Sequence, residues 1–307
     1  METKRILVTG ASGFIGSNVC LALQDQGRQV IALDDFSVGI KENLREFEGR
    51  IIDSDIRNFD WSREKVDSII HEGAITDTTV KDRDLMLAVN TEAFKKLVDH
   101  CENNKINLVY ASSAAVYGRG KSPMTEEQEK DILSHYAESK WEMDKFATQK
   151  FQAFEGKGLK LVGLRYFNVC GPGEQHKGKM ASMIWQLYLQ MKQGNRPRVF
   201  KHGEQVRDHV YVKDVVNTTL LALNAKKNGV YNVGSGRGTS FNKIIEILNK
   251  SLGTNLEPEY INNPYAHYQD KTIADISNAK EQLGYEPAWS METAIPDYLS
   301  WIKERGL

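Results

Sequence analysis

The sequence contains few cysteines and no long apolar run. Its three cysteines, Cys20, Cys101 and Cys170, are widely spaced, which is typical of reduced thiols and argues against a disulfide framework. The histidines show no paired ligand spacing, so we expect no metal site. No apolar run reaches the ~18 residues of a membrane span, and residues 1–5 lead directly into the first predicted strand. We therefore expect a cytoplasmic protein with no membrane partner.

The sequence also lacks an excess of charge of either sign. Forty basic and forty-one acidic residues give a net charge of −1, so no overall field attracts the chain to nucleic acid. No internal repeat, low-complexity tract or obvious linker interrupts the 307 residues. This length suits one large globular domain or two that share an interface.

Residues 4–17 contain the most informative motif. An apolar run at residues 6–8 suits a strand buried on both faces, and the three glycines Gly10, Gly13 and Gly16 follow it. Such a strand, turn and helix let backbone N–H groups and the positive end of the helix dipole approach a diphosphate, because glycine has no Cβ to block the contact. Three glycines also occur in ordinary strand-to-helix turns, so the rest of the chain has to decide.

A second predicted strand, residues 29–33, ends in two acids, Asp34 and Asp35. An acid about 20 residues beyond the glycines can accept both hydroxyls of an adenosine ribose. A helix or turn cap is the alternative interpretation of Asp34. The same acids would repel a 2′-phosphate and favour NAD over NADP, but Lys41 lies near enough in sequence to counter that repulsion. Both cofactors therefore stay open.

The next segments alternate between predicted strands and helices. Strands are predicted at residues 50–52, 66–70 and 107–111, and a helix is predicted at residues 79–103. The small residues Gly73 and Ala74, after the fourth strand, leave room for a bound dinucleotide. This alternation predicts an α/β fold with a doubly wound parallel sheet, whose ligands bind at the carboxyl ends of the strands. The motifs described so far all lie at such ends.

Tyr136 and Lys140 open a predicted helix that continues to about residue 154. Their separation of four places both side chains on one helix face. A phenol ionises near pH 10, and an ammonium close to it favours the ionised form. We therefore predict that Lys140 lowers the pKa of Tyr136 and that the pair acts as an acid/base. The alternative is a solvated helix face.

After a sixth predicted strand, residues 159–165, the pattern becomes irregular. A loop at residues 166–173 precedes short predicted strands at 198–201, 207–212 and 230–233. Further helices are predicted at residues 183–192, 214–223, 240–252 and 291–302. We expect residues 1–167 to form a dinucleotide-binding domain, to which residues 209–234 and about 268–276 return. A smaller C-terminal substrate lobe would then comprise residues 168–208, 235–267 and 277–307.

Five motifs together resemble the nucleotide-sugar epimerase and dehydratase branch of the extended short-chain dehydrogenase/reductase family. They are Gly10-x-x-Gly13-x-x-Gly16, Asp34, Ser113, Tyr136-x-x-x-Lys140 and Arg165-Tyr166-Phe167-Asn168. The resemblance runs from end to end and implies a Rossmann-like fold, one tightly bound NADP or NAD per subunit, a nucleotide-sugar substrate and a homo-oligomer. Within that branch, residues 71–74, 165–182 and 265–276 resemble the ADP-heptose 6-epimerases.

The resemblance also implies roles for individual residues. Hydride would leave C6″ of the sugar and return to the opposite face, with Tyr136 and Lys177 as the two bases. Lys140 would orient the nicotinamide ribose, and Ser113 would hydrogen-bond the reacting oxygen. A loop lysine that binds phosphate or is merely solvated is the alternative interpretation of Lys177. The expected cofactor contacts are Gly10, Gly13, Phe14, Ile15, Gly16, Asp34, Asp35, Lys41, Asp55, Ile56, Glu72, Gly73, Ala74, Thr76, Asn90, Lys140 and Val169. The expected substrate contacts are Ser113, Asn168, Lys177, Lys179, Phe200, Arg207 and Tyr268.

Three departures from the family pattern keep the cofactor and the substrate open. Asp35 replaces an Asn that is associated with NADP, Lys179 replaces a small polar residue, and residues 201–203 alter the segment expected to face the nucleotide. A UDP-hexose 4-epimerase is the nearest alternative, since it would share Ser113, Tyr136 and Lys140. Net-redox dehydrogenases and dehydratases also remain, although no acid of the dehydratase kind accompanies Ser113. A non-catalytic NAD(P)-sensing module is the alternative from another class.

Overall fold

The computed structural model describes residues 4–262 and 269–307. Within them the strands are β1 (Arg5–Thr9), β2 (Gln29–Asp34), β3 (Arg50–Asp53), β4 (Ser68–His71), β5 (Asn107–Ser113), β6 (Leu161–Tyr166), β7 (Asn168–Cys170), β8 (Arg198–Phe200), β9 (Val206–Arg207), β10 (His209–Tyr211), β11 (Gly229–Val233), β12 (Thr239–Ser240), β13 (Glu259–Ile261) and β14 (Lys271–Thr272). The α-helices are α1 (Phe14–Asp25), α2 (Arg83–Leu87), α3 (Ala93–Asn104), α4 (His135–Gly156), α5 (Met183–Lys192), α6 (Val212–Ala222), α7 (Phe241–Leu252), α8 (Ser277–Leu283) and α9 (Met291–Glu304).

A seven-stranded parallel sheet forms the centre of the molecule. Its strand order is β11-β6-β5-β4-β1-β2-β3, and every neighbouring pair runs parallel. The chain winds outward from β1 to β3, returns to β4 beside β1 and then winds the other way. This order is that of a doubly wound Rossmann-like sheet, so the predicted fold class is confirmed.

Both faces of the sheet are covered, which explains the apolar runs in its strands. In β1, Ile6 and Val8 pack into one core with α1 and α6, whereas Leu7 between them packs into the opposite core with α3 and α4. Successive strand residues point to opposite faces, so a strand covered on both sides needs apolar residues at consecutive positions. The two helix layers therefore leave only the strand ends free to form a site.

The helix boundaries differ from prediction in one informative place. The helix predicted at residues 79–103 begins only at α2, because the Asp82 carboxylate accepts a hydrogen bond from the Leu85 N–H and caps the helix there. A π-helical turn, Ala88–Glu92, then joins α2 to α3. By contrast, α5 has the predicted bounds. No helix within residues 4–262 and 269–307 is both long enough and apolar enough to cross a membrane.

Short strands and helices from the second half of the chain pack beside the sheet. Strand β7 pairs with β10, β9 lies between β12 and β14, and β8 pairs with β13. Helix α8 packs against β11 and α6, which belong to the part predicted to bind the dinucleotide. The division into two lobes remains a prediction, in which residues 277–307, including α8, are assigned to the substrate lobe.

A buried ion pair holds α4 against the sheet. The Asp144 carboxylate on α4 accepts hydrogen bonds from the Tyr110 hydroxyl (3.0 Å), the Ser112 hydroxyl (2.9 Å) and Arg165 Nε (2.9 Å). The side chains of Arg165 and Asp144 are only 4% and 1% exposed. Since Asp144 lies one helical turn beyond Lys140, this network fixes the part of α4 that carries Tyr136 and Lys140.

We expect Asp144→Asn to lower the free energy of unfolding by about 3 kcal/mol, because it leaves the buried Arg165 guanidinium without a counter-charge. Urea denaturation measures the change. Glu246→Gln is the control, since its ion pair with Lys243 is exposed and its loss should cost less than about 1 kcal/mol. Equal losses in the two variants would contradict the structural role of the buried pair.

Candidate active site

A cleft of about 550 Å³ lies at the carboxyl ends of the parallel strands. Its size is within the range of small-molecule and cofactor pockets. Among the predicted site residues, its lining contains Gly10, Gly13, Phe14, Ile15, Gly16, Asp34, Asp35, Asp55, Ile56, Glu72, Gly73, Ala74, Thr76, Ser113, Tyr136, Lys140, Val169 and Lys177. These residues are spread over more than half of the sequence, and the fold brings them to one surface.

The glycine turn is packed too tightly for side chains. Gly10 has φ +61°, and an ideal Cβ on it would lie 2.6 Å from the Gly73 backbone nitrogen. A Cβ on Gly16 would lie 2.1 Å from the Gly10 carbonyl oxygen. Gly13 is the N-cap residue of α1, and it has no side chain that could accept a hydrogen bond from the first N–H groups of the helix. The first N–H groups of α1 therefore face the cleft, which suits a diphosphate.

Two acids lie at the carboxyl end of β2, where Asp34 is the last residue of the strand and Asp35 follows it. The Asp34 carboxylate, 7% exposed, accepts hydrogen bonds from the backbone N–H groups of Ser12 and Phe36, both at 2.8 Å. It thus caps the glycine turn, and each of its oxygens keeps acceptor capacity for a ribose hydroxyl. Asp35 is exposed and accepts bonds from the N–H (3.0 Å) and hydroxyl (2.6 Å) of Ser37.

An arginine that the sequence analysis did not select lies beside these acids. Arg57 lines the cleft, and its Nε donates to the Asp55 carboxylate at 2.9 Å. Hydrogen bonding to Arg57 lowers the pKa of Asp55. The spacing Asp-x-Arg was visible in the sequence, but only the fold shows that the guanidinium lies near Asp35. Lys41 does not line the cleft, and its ammonium lies 5.2 Å from the centroid of the Phe36 ring.

Ser113, Tyr136 and Lys140 meet where the carboxyl end of β5 lies against the start of α4. The Lys140 ammonium is buried and donates to the Ala111 carbonyl at 2.7 Å. It lies 5.9 Å from the centroid of the Tyr136 ring. The Tyr136 side chain hydrogen-bonds the Ser113 side chain, whose oxygen accepts the Ala115 N–H at 3.1 Å. A phenol, a hydroxyl and an ammonium are therefore held together in one wall of the cleft.

The pKa of Tyr136 shifts in the opposite direction from our prediction. Burial raises it, the Glu72 carboxylate adds to the rise, and the Ser113 hydrogen bond opposes it. Burial also lowers the pKa of Lys140 to about 8. The net rise is opposite to the fall that we predicted, because desolvation is the largest effect on the Tyr136 phenol, and the Lys140 ammonium is bonded to the Ala111 carbonyl instead.

Glu72 is a second acid whose environment the sequence did not reveal. Burial raises its pKa to about 7, against the effects of a Tyr166 hydrogen bond and of nearby Lys140. The Tyr166 hydroxyl donates to Glu72 at 2.8 Å and lies 3.0 Å from the Thr219 hydroxyl. Because Tyr166 ends β6 and Glu72 follows β4, this contact ties two strand ends together across β5.

Lys177 faces the same cleft from a different part of the chain. It lies on a 3₁₀ segment, Gln175–Met180, and its ammonium is 5.4 Å from the centroid of the Phe14 ring. Burial lowers its pKa, and the charge of Glu174 opposes that shift. The cleft therefore holds two candidate bases, Tyr136 and Lys177, on separate elements.

Some predicted contacts lie outside the lining of the cleft. Asn90 is completely buried; its side chain accepts the Ile75 N–H (2.8 Å) and donates to the Ile75 carbonyl (3.0 Å) and the Ser139 hydroxyl (3.0 Å). It supports the cleft wall from behind, and its direct contact with a cofactor remains a prediction. The same holds for the predicted ligands Lys41, Asn168, Lys179, Phe200 and Arg207. Tyr268 lies outside the described residues.

The glycine turn, the acids at the carboxyl end of β2 and the Ser113–Tyr136–Lys140 group define a Rossmann-type, dinucleotide-dependent enzyme. The model of the NAD dependent epimerase/dehydratase family matches residues 6–234. The chain belongs to this family and is an epimerase, an isomerase that depends on a nicotinamide cofactor.

Known relatives are similar over nearly their full length. The chain is 36% identical to an ADP-L-glycero-D-manno-heptose-6-epimerase of Brachyspira hyodysenteriae, with 98% of each covered. The crystal structure of the Helicobacter pylori ADP-L-glycero-D-manno-heptose-6-epimerase matches with a TM-score of 0.92 and 36% identity, covering 98% of this chain and 97% of that one. A UDP-N-acetylglucosamine 4-epimerase from Methanobrevibacter ruminantium matches with a TM-score of 0.91 and 30% identity, covering 99% and 100%.

We expect Gly10→Ala to abolish dinucleotide binding, because the added Cβ collides with the backbone at Gly73. The measurement is the mass and amount of dinucleotide released when purified protein is denatured. Gly27→Ala is the matched control: Gly27 has a similar φ of +70° but nothing within 4 Å of its ideal Cβ. It should cost about 1–2 kcal/mol of stability and retain the dinucleotide. Full occupancy by the dinucleotide in Gly10→Ala would refute the role of the glycine turn in binding the diphosphate.

Proposed function

We propose that this protein is an ADP-glycero-manno-heptose 6-epimerase that inverts C6″ by transient oxidation and re-reduction. The observation that carries the proposal is the presence of two bases, Tyr136 and Lys177, on different elements of one cleft. The similarity to two ADP-heptose 6-epimerases over nearly the whole chain supports the substrate.

The cofactor we propose is one tightly bound NAD per subunit. Exposed Asp35 and buried Asp34 provide negative charge where a 2′-phosphate would add more, which favours NAD. Lys41 and Arg57 are the cations nearby in the chain, but Arg57 is paired with Asp55. The first turn of α1 would hold the diphosphate, and Asp34 the ribose. The mass of the released dinucleotide distinguishes NAD from NADP, which carries one more phosphate.

A bound nicotinamide supplies a reversible hydride acceptor, and the residues of the chain manage the proton. Tyr136 takes the proton of the substrate hydroxyl as the alcohol becomes a ketone, and Ser113 donates a hydrogen bond to the same oxygen. Tyr136 accepts that proton as the phenolate, and its raised pKa favours the neutral phenol, the form that donates the proton when the ketone is reduced. Lys140, fixed by its hydrogen bond to Ala111, would orient the ribose of a bound cofactor.

Inversion at a side-chain carbon needs a base on each side of the carbonyl. After the first step the ketone rotates, so its oxygen moves beyond the reach of Tyr136. Lys177 donates a proton to the oxygen in this second orientation, and it accepts one when the opposite epimer reacts. Burial lowers the pKa of Lys177, which brings its neutral form closer to the working pH.

A UDP-hexose 4-epimerase is the second candidate function. The match to a UDP-N-acetylglucosamine 4-epimerase favours it, because the shared Ser113, Tyr136 and Lys140 would serve either substrate. Turnover of UDP-glucose without turnover of ADP-heptose would decide for this alternative.

We further propose that the protein acts in the cytoplasm as a homo-oligomer. All three cysteines are free and buried, which suits a reducing compartment. The oligomer follows from the resemblance to short-chain dehydrogenase/reductases alone, and light scattering of the purified protein tests it.

We expect Tyr136→Phe to reduce turnover of ADP-heptose by roughly 10²–10⁴-fold, because it removes the group that accepts the substrate proton in the first step. The dinucleotide should stay bound. Tyr285→Phe is the control, since its buried hydroxyl donates to the Gly234 carbonyl at 2.7 Å and does not line the cleft. Epimerisation assays of both variants give the comparison. Undiminished turnover in Tyr136→Phe would remove this residue from its role.

A further inference from the structure

The loop that carries Lys177 is closed by a buried carboxylate. Glu174 is 0% exposed and does not line the cleft. Its side chain accepts the Gly171 N–H at 3.0 Å, and at the far end of the loop it accepts the Ser182 N–H (2.5 Å) and hydroxyl (2.9 Å). The Tyr298 side chain also hydrogen-bonds it. One carboxylate thus joins residues 171 and 182, with Lys177 midway between them.

The closed loop is docked on the glycine turn and its helix. Asn18 on α1 donates to the Pro172 carbonyl at 2.8 Å. Asn43 donates to the Gly173 carbonyl at 3.2 Å and to the Ser12 carbonyl at 3.0 Å. These bonds fix the beginning of the loop on the rest of the protein. Glu174 then fixes the end of the loop, at Ser182, to its beginning, at Gly171. Together they determine where the Lys177 ammonium lies over Phe14.

A buried carboxylate is costly, and local structure alone does not account for this one. Removing an ionised carboxylate from water costs several kcal/mol even after relaxation. Helix α5 has its own cap, because the Ser182 hydroxyl accepts the Trp185 N–H at 3.2 Å. The negative charge of Glu174 does act on Lys177, whose pKa it raises against the effect of burial.

We propose that Glu174 is a positioning residue for the second base: it closes the loop of residues 171–182 so that the Lys177 ammonium is held at the cleft. This inference rests on the proposed function, in which Tyr136 and Lys177 serve opposite epimers. Glu174 does not line the cleft, so its effect on the reaction passes through Lys177. Loss of Glu174 should therefore impair the half-reaction that uses Lys177 and leave the other half-reaction unchanged.

Glu174→Gln tests the inference, because it keeps the shape but replaces one acceptor oxygen by an NH₂ group that faces the Ser182 N–H. Each C6″ epimer of ADP-heptose is mixed separately with dinucleotide-loaded enzyme, and the near-ultraviolet absorbance of reduced nicotinamide is followed. We expect a loss of roughly 10²-fold with one epimer, the magnitude of a small misplacement of a catalytic group, and an unchanged rate with the other. Lys177→Met should select the same epimer.

Asp214→Asn is the matched control. Asp214 is also a buried carboxylate that accepts two backbone N–H groups, those of Ala288 (2.9 Å) and Trp289 (3.1 Å), but it does not line the cleft. This control should lower stability and affect both epimers equally. Should Glu174→Gln not fold, Ser182→Ala provides a second test, because it removes one hydrogen-bond donor to Glu174. It should slow the same epimer selectively, with a smaller loss of rate.

The outcomes separate the two claims. Equal rate losses with both epimers in Glu174→Gln, or no loss, would overturn the positioning role while a selective Lys177→Met leaves the proposed function intact. If Lys177→Met slows neither epimer, the two-base function itself fails.

Discussion

The buried hydrogen bond from the Lys140 ammonium to the Ala111 carbonyl is the contact on which the arrangement of Ser113, Tyr136 and Lys140 depends. A lysine taken out of water needs partners, and this one is met by a backbone acceptor at the end of β5. The bond draws the start of α4 onto the strand end that carries Ser113. One turn farther along, Asp144 and Arg165 keep α4 in register with β5 and β6. Tyr136 and Ser113 meet because the Lys140–Ala111 bond and the Asp144–Arg165 ion pair together fix α4 against the sheet.

Helix α1 contributes both to the proposed diphosphate site and to the position of Lys177, the second base. The first turn of α1 carries the glycines that leave room for a diphosphate, and the same helix carries Asn18, which docks the loop of residues 171–182. Phe14 lies under the Lys177 ammonium. The position of Lys177 therefore depends on the same helix that carries the glycine turn.

Much of the fold was readable from the sequence because the central strands are covered on both faces. Their consecutive apolar residues, such as Ile6 to Val8, and the amphipathic helices between them are local signals. The strands β12 and β14 have two residues each and depend on pairing with distant segments, so no local pattern could predict them. The glycines, Tyr136 and Lys140 were identified because their chemistry depends on short spacings.

The remaining features of the site depend on burial and long-range contact. The pKa of Tyr136 rises where spacing predicted a fall, because desolvation is a property of the folded surroundings and not of the helix alone. Tyr166 meets Glu72, and Glu174 meets Ser182, only after the chain has folded. Arg57 was overlooked for the same reason, since its distance from Asp35 follows from the pairing of β2 with β3.

Transfer of hydride out of C6″ and back to the same carbon is the central claim, and isotopic labelling tests it most directly. ADP-heptose carrying deuterium at C6″ is converted in ordinary water, and the label in the product is measured by mass spectrometry. The account predicts that the deuterium is retained at C6″ in the inverted product. Replacement of the label by solvent hydrogen would mean that the carbon exchanges a proton instead, and would contradict the account.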